Sequence, residues 1–134
     1  MSNPISSFLG VSGDALPLRE QRMKLIASNL SNVDTPGYKA QDLDFDAAMR
    51  AAQGQRDGSG LEVTDTRHFP IGGNGDGLNP FQFTREASQP SLDGNTVDPD
   101  AERAAYGRAA LEYRASLSFV EGKVRTMLTA ITGQ

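Results

Sequence analysis

Apolar residues along this chain fall into two periodic stretches separated by a sparse one. In the first, roughly Pro4 to Asn32, Leu9, Leu16, Met23 and Leu30 recur every seven residues, and Ile26 and Val33 follow three residues after the last two. Val11, Ala15, Leu18 and Leu25 widen the same face. An α-helix turns once in about 3.6 residues, so these spacings place the apolar side chains on one side of a helix. Glu20 and Lys24 add an i,i+4 ion pair in the favourable order. Gly10, Gly13 and Pro17 weaken the early turns, since a helix interior loses about 1 kcal/mol per glycine and about 3 kcal/mol per proline. The pattern predicts a loose run first and a firm helix from about Pro17, with Asp14 as its cap.

That helix has a defined stop. Thr35 precedes Pro36, which pushes it out of the α region. Pro36-Gly37 fits the central positions of a type II turn, where glycine supplies the positive φ. Thr35, Pro36, Gly37 and Tyr38 are the expected hinge, and they close a first segment at residues 1–38.

The last segment, residues 98–134, is the most regular. Asp98 is a good N-cap and Pro99 suits the first helical position. Tyr106, Ala110, Tyr113, Leu117, Val120, Val124, Met127 and Ile131 then alternate spacings of four and three, the seam of a coiled coil. Asp98, Asp100 and Glu102 at the start, with Lys123 and Arg125 near the end, complement the helix dipole. A helix this long exceeds what so short a chain can cover alone, so the seam implies a partner.

Between them, residues 39–97 differ in kind. Seven of the fourteen glycines lie from Gly54 to Gly77. Leu61-Glu62-Val63 and Phe81-Gln82-Phe83 alternate as strands of a small hairpin, with Gly72 to Gly77 as its tip. Asp44 to Ala52 is expected to form a short helix. The predicted fold is mainly α in a single structural domain. Long N- and C-terminal helices form a coiled-coil-like pair, and a glycine-rich, partly β middle segment projects from their junction.

Composition narrows the function. Leu, Ile, Val and Phe number 28 of 134 residues, enough for a thin core that gains from partners. The net charge of −4 argues against nucleic acid as a partner. With no Cys, there are no thiolate nucleophiles, disulfides or Cys-based metal sites. No stretch approaches the length of a membrane span, and Met1 to Ser12 lacks the basic and apolar regions of a signal peptide.

Chemical motifs are weak throughout. Asp42-Leu43-Asp44-Phe45-Asp46 opens like a calcium loop, but Ala47 and Gln53 stand where the required Gly and Glu would be. Gly72-Gly73-Asn74-Gly75-Asp76 has its aspartate one position early for a calcium repeat and occurs once. No lysine follows these glycines as a phosphate loop requires. His68 is the only histidine and no Ser lies in a nucleophile elbow. The reading is therefore of no enzyme, no metal and no cofactor. Asn29 and Asn32 are either caps of the first helix or polar contacts that fix register between subunits.

Ala27-Ser28-Asn29-Leu30-Ser31-Asn32 followed by Thr35-Pro36-Gly37-Tyr38-Lys39 closely resembles the signature of flagellar rod and hook axial proteins. Tyr38 to Phe45, the block Ser91-Leu92-Asp93-Gly94-Asn95-Thr96-Val97-Asp98 with Glu102 after it, and the short length are similar to the proximal-rod branch of that family. The resemblance implies a structural subunit that stacks helically into a hollow shaft, its terminal helices lining the tube. It implies export by the flagellar type III apparatus without a cleaved leader, and a place in the periplasmic rod of the basal body. The implied partners are copies of itself, other rod proteins (FlgC-, FlgF- and FlgG-like), the adaptor FliE and the flagellar export gate. The expected assembly interface is Leu16, Met23, Leu30, Asn29 and Asn32 on the first helix. On the last helix it is Tyr106, Tyr113, Leu117, Val120, Val124, Met127 and Ile131. The alternative reading is a non-polymerising coiled-coil adaptor or chaperone of the same export system.

Overall fold

The computed structural model describes residues 4–56, 80–88 and 90–133. The elements run α1 (Pro4–Ser31), β1 (Gln41–Leu43), α2 (Phe45–Arg56), β2 (Gln82–Thr84) and α3 (Pro99–Thr132). The architecture is mainly α, as the periodicity predicts, with a two-stranded ribbon between the long helices.

α3 begins where the sequence places it. Asp98 is extended (φ −96°, ψ 110°) and its carboxylate accepts from the Asp100 and Ala101 amides, while Pro99 opens the helix. Proline is tolerated there because a first-turn N–H has no intrahelical acceptor. At the far end Gly133 turns left-handed (φ 73°) and its N–H reaches the Thr129 carbonyl. The 34 residues span roughly 50 Å at a rise of about 1.5 Å each.

α1 departs from the expectation. Its break falls at Gly10 (φ 56°, ψ −144°), and the helix continues unbroken through Pro17. Asp14 therefore lies inside the helix and not at its start. The backbone of Gly10 is open only to a residue without Cβ, so the bend concentrates there. Pro17 removes one hydrogen bond, and the packing of the surrounding turns outweighs that loss.

The long helices run antiparallel. Arg19 Nη1 lies 2.6 Å from Glu112 Oε2, and Lys123 Nζ lies 3.0 Å from the Leu9 carbonyl. Asn29 meets Glu102 at the other end. The core is thin and rich in alanine. It comprises Ala15 and Ile26 of α1, Ala109 of α3, Ala40 and Leu43 around β1, and Ala48, Met49 and Ala51 of α2.

The strand Gln82–Thr84 overlaps the expected run Phe81 to Phe83, and among the described residues it pairs with Gln41–Leu43. Phe83 pairs with Asp42, Gln82 with Leu43, and Thr84 with Gln41, antiparallel. Gln41-Asp42-Leu43 carries a single apolar residue and no alternation, so the sequence pattern does not mark it as a strand. Leu61 to Val63, His68 and the tip Gly72 to Gly77 lie outside the described residues. The short helix expected from Asp44 runs from Phe45 to Arg56, and the Asp44 carboxylate caps it through the Ala47 amide at 3.0 Å. Among the described residues no helix is long and apolar enough to cross a membrane, and no group of three acidic or histidine side chains is placed to hold a metal.

Candidate assembly interface and the clamp beneath it

The turn after α1 is built by the residues that predicted it. Tyr38 N–H donates to Thr35 O at 3.2 Å, with Pro36 and Gly37 (φ 71°) in the central positions. The segment 91–98 then closes over this turn. Gly37 N–H donates to Asp93 O at 2.8 Å and Thr96 N–H to Tyr38 O at 3.0 Å. Lys39 Nζ donates to Gly94 O, and the Ala40 amide donates to Thr96 Oγ1, each at 2.8 Å. Asn95 Nδ2 reaches the carbonyls of Asn32, Val33 and Thr35, each at 2.9 Å. These carbonyls belong to the end of α1 and the turn beyond it, where the helix leaves acceptors unsatisfied. One buried amide side chain thus fixes the exit of the chain from α1.

Beneath the turn lies a second polar cluster. Asn29 is fully buried. Its Nδ2 donates to Gln41 O at 2.8 Å and to Glu102 Oε2 at 3.2 Å, and its Oδ1 accepts from Gln41 N at 2.9 Å and Tyr38 OH at 3.2 Å. All four hydrogen bonds available to an asparagine side chain are made. Glu102, 1% exposed, is also paired with Arg85, whose guanidinium contacts Asp42 Oδ2 at 3.2 Å. Arg22 Nε stands 3.5 Å from the other Asp42 oxygen, an ionic contact without hydrogen-bond geometry. Arg85 is also tied by its backbone, N–H to Ala40 O at 2.7 Å. α1, β1, β2 and α3 therefore meet at one charge-paired node.

Beyond this clamp the helix pair is much more open. The side chains of α3 that α1 covers best are Glu102, Ala109 and Ser116. These lie seven residues apart, and two of them are small enough for the helices to approach closely. The larger apolar residues flank this line. Tyr113, Leu117, Val120 and Met127 are half-buried, whereas Tyr106, Val124 and Ile131 are exposed. Leu111, Phe119 and Ile131 are 71%, 68% and 74% exposed. On α1, Leu16, Met23 and Leu30 are half-buried.

A family model for flagella basal body rod proteins matches residues 9–39, which cover most of α1 and the turn. Across almost the whole chain, the FlgB flagellar basal body rod protein of Aeromonas hydrophila is 40% identical over 126 residues, 93% of this chain and 92% of that protein. The FlgB protein of Escherichia coli K12 is 37% identical over 135 residues, covering 98% and 97%. The FlgB protein of Cereibacter sphaeroides strain ATH 2.4.9 is 40% identical over 129 residues, 94% of each chain. The chain belongs to the FlgB family of flagellar basal body rod proteins.

In this FlgB-family chain the two sequence blocks that carried the resemblance are physical partners. The turn Thr35 to Tyr38 and the block Ser91 to Asp98 hold each other through the bonds just described. Of the two asparagines, Asn32 acts locally, its Nδ2 donating to Ser28 O at 2.8 Å and its Oδ1 accepting from Thr35 Oγ1 at 3.1 Å. Asn29 makes its contacts within the subunit. Sequence reasoning missed Asn95, Arg85 and Glu102 as clamp residues. Glu102 was legible as a helix-start acid. That it stands in line with Ala109 and Ser116, seven residues apart, was the overlooked signal of an inward position.

Proposed function

We propose that this rod subunit polymerises through its terminal helices, with itself and with other rod proteins, into the hollow drive shaft of the flagellum. The carrying observation is the apolar surface left open along α3, where Leu111, Phe119, Leu128 and Ile131 are more than half exposed. So many exposed large apolar side chains on one helix favour contacts with neighbouring molecules. A heterologous contact that does not close on itself generates a helical filament, the form a shaft needs. Residues 1–38 and 98–134 supply the contact surfaces, and residues 39–97 form the projection between them.

The interface comprises Leu16, Met23 and Leu30 with Tyr106, Tyr113, Leu117, Val120, Val124, Met127 and Ile131, the half-open flank of the helix pair. The work is structural, with no catalytic chemistry. The partners are FlgC-, FlgF- and FlgG-like rod proteins, the adaptor FliE and the export gate, reached through the flagellar export route with the N-terminal region uncleaved. Ile131→Asp tests the reading, because Ile131 is exposed in the subunit and its loss leaves the fold intact. Motility and rod protein recovered in the basal-body fraction should both fall sharply, while Glu121→Gln at an exposed polar position of the same helix is tolerated. Normal rods from Ile131→Asp cells would remove this face from the interface.

A further inference from the structure

The clamp ends in two turns set side by side. In one, Tyr38 N–H closes on Thr35 O, and in the other Gly94 N–H closes on Ser91 O at 3.3 Å. Each carries an exposed apolar residue at its second position, Pro36 in the first and Leu92 in the second. The turns abut so closely that a Cβ on Gly94 would stand 3.8 Å from Gly37 Cα. The Gly37 amide on Asp93 O, Lys39 Nζ on Gly94 O and the Asn95 amide on Asp93 Oδ1 hold the second turn in place. The Leu92 side chain serves none of these bonds and is fully exposed. Proline or a small polar residue suits that position of a turn, so leucine contributes nothing to its formation. A local rule broken with no gain inside the fold points to a role outside it.

Charge sets the two ends of the helix pair apart. Residues 31–38 and 90–100 carry four exposed aspartates, Asp34, Asp93, Asp98 and Asp100, and no cation. The cations nearest in sequence are engaged, Lys39 on Gly94 O and Arg103 on Asp100. At the opposite end, residues 122–133 carry Lys123 and Arg125 and no carboxylate, with Leu128 and Ile131 exposed among them. We propose that the paired turns are a docking knob, Leu92 and Pro36 within an acidic rim, that seats on the terminal-helix end of the next rod subunit along the shaft. That end is basic and aliphatic, the chemistry that residues 122–133 of this chain display. Turns already fixed by hydrogen bonds lose little freedom on docking, which favours the contact. Opposite charges around the knob set its orientation and disfavour tip-to-tip pairing, where acid meets acid. The contact joins unlike surfaces and does not close, which gives the shaft a direction. The proposal rests on the polymerisation reading and names the surface through which subunits stack.

The test is made in assembled basal bodies. With the photo-crosslinker p-benzoylphenylalanine in place of Leu92, irradiation should join the tip to a terminal-helix peptide of a neighbouring rod subunit, identified by mass spectrometry. Asp34→Lys together with Asp93→Asn should lower that cross-linking severalfold, because the rim loses its charge while asparagine keeps the oxygen that caps the Asn95 amide. In cells without the probe, Leu92→Ser should reduce motility and rod recovery severalfold, whereas Leu92→Met should preserve both. Adducts confined to middle segments or to proteins outside the rod, or none in assembled rods, would overturn the docking and leave polymerisation standing. Undiminished cross-linking in the charge variant would remove the acidic rim from the contact. Normal rods and motility from Leu92→Ser cells would overturn the knob. Absence of the unaltered chain from basal bodies would instead strike at polymerisation itself.

Discussion

The two ends of the helix pair solve opposite problems with the same two helices. At the clamp end, Asn29, Asn95 and Glu102 are buried polar side chains whose partners all lie within the chain. At the open end, α1 is bent and the apolar side chains of α3 stay in solvent. Buried polar groups are costly unless every partner is present, so a satisfied network admits one geometry. Apolar contacts are less directional and accept a partner from outside. The clamp therefore fixes where the chain turns and how the middle segment leaves it, while the open end remains available to neighbours.

Substitutions should separate the two regions by the size of their effect on the isolated subunit. Arg85→Ala should destabilise most, by about 3 kcal/mol, because it strips the main cation from a buried carboxylate. Urea unfolding of the purified subunit measures this, and a change below about 1 kcal/mol would mean that Glu102 finds its compensation elsewhere. Asn95→Ala should follow at about 1–2 kcal/mol, since three carbonyls lose one shared donor and some regain water. Gly37→Ala should cost about 1 kcal/mol, the strain of a left-handed backbone with a Cβ, with open space around it adding no clash. Ile131→Asp should change stability by less than about 0.5 kcal/mol, as exposed positions do, while abolishing incorporation into rods. A large loss of stability there would place Ile131 in an internal contact and break the comparison.

The sequence made local features easier to read than the long-range pairs of the clamp. Helical periodicity, the Asp98-Pro99 start and the Thr35-Pro36-Gly37-Tyr38 turn all depend on neighbours within a few residues, so their physics is visible locally. The clamp depends on pairs such as Asn29 with Glu102 and Asn95 with Asn32, separated by more than sixty residues. No periodicity connects them. The apolar seam was read as the contact line of α3, yet the buried positions are the line of Glu102, Ala109 and Ser116, with the larger residues on its flank. Volume explains the shift, since small side chains let two backbones approach and large ones hold them apart. The bend at Gly10 was missed for a related reason. Gly10, Gly13 and Pro17 were weighed by intrinsic propensity, in which proline costs most. The bend went to the only one of them held at positive φ.

Amide hydrogen exchange, compared between the dilute subunit and the assembled rod, tests most directly whether one end is complete and the other awaits a neighbour. Amides around residues 26–40 and 93–105 should be equally protected in both states. Those around residues 5–12 and 124–132 should exchange quickly in the subunit and become protected only in the rod. Strong protection of both terminal stretches in the dilute subunit would contradict the account, because the open end would then already have all the partners it needs.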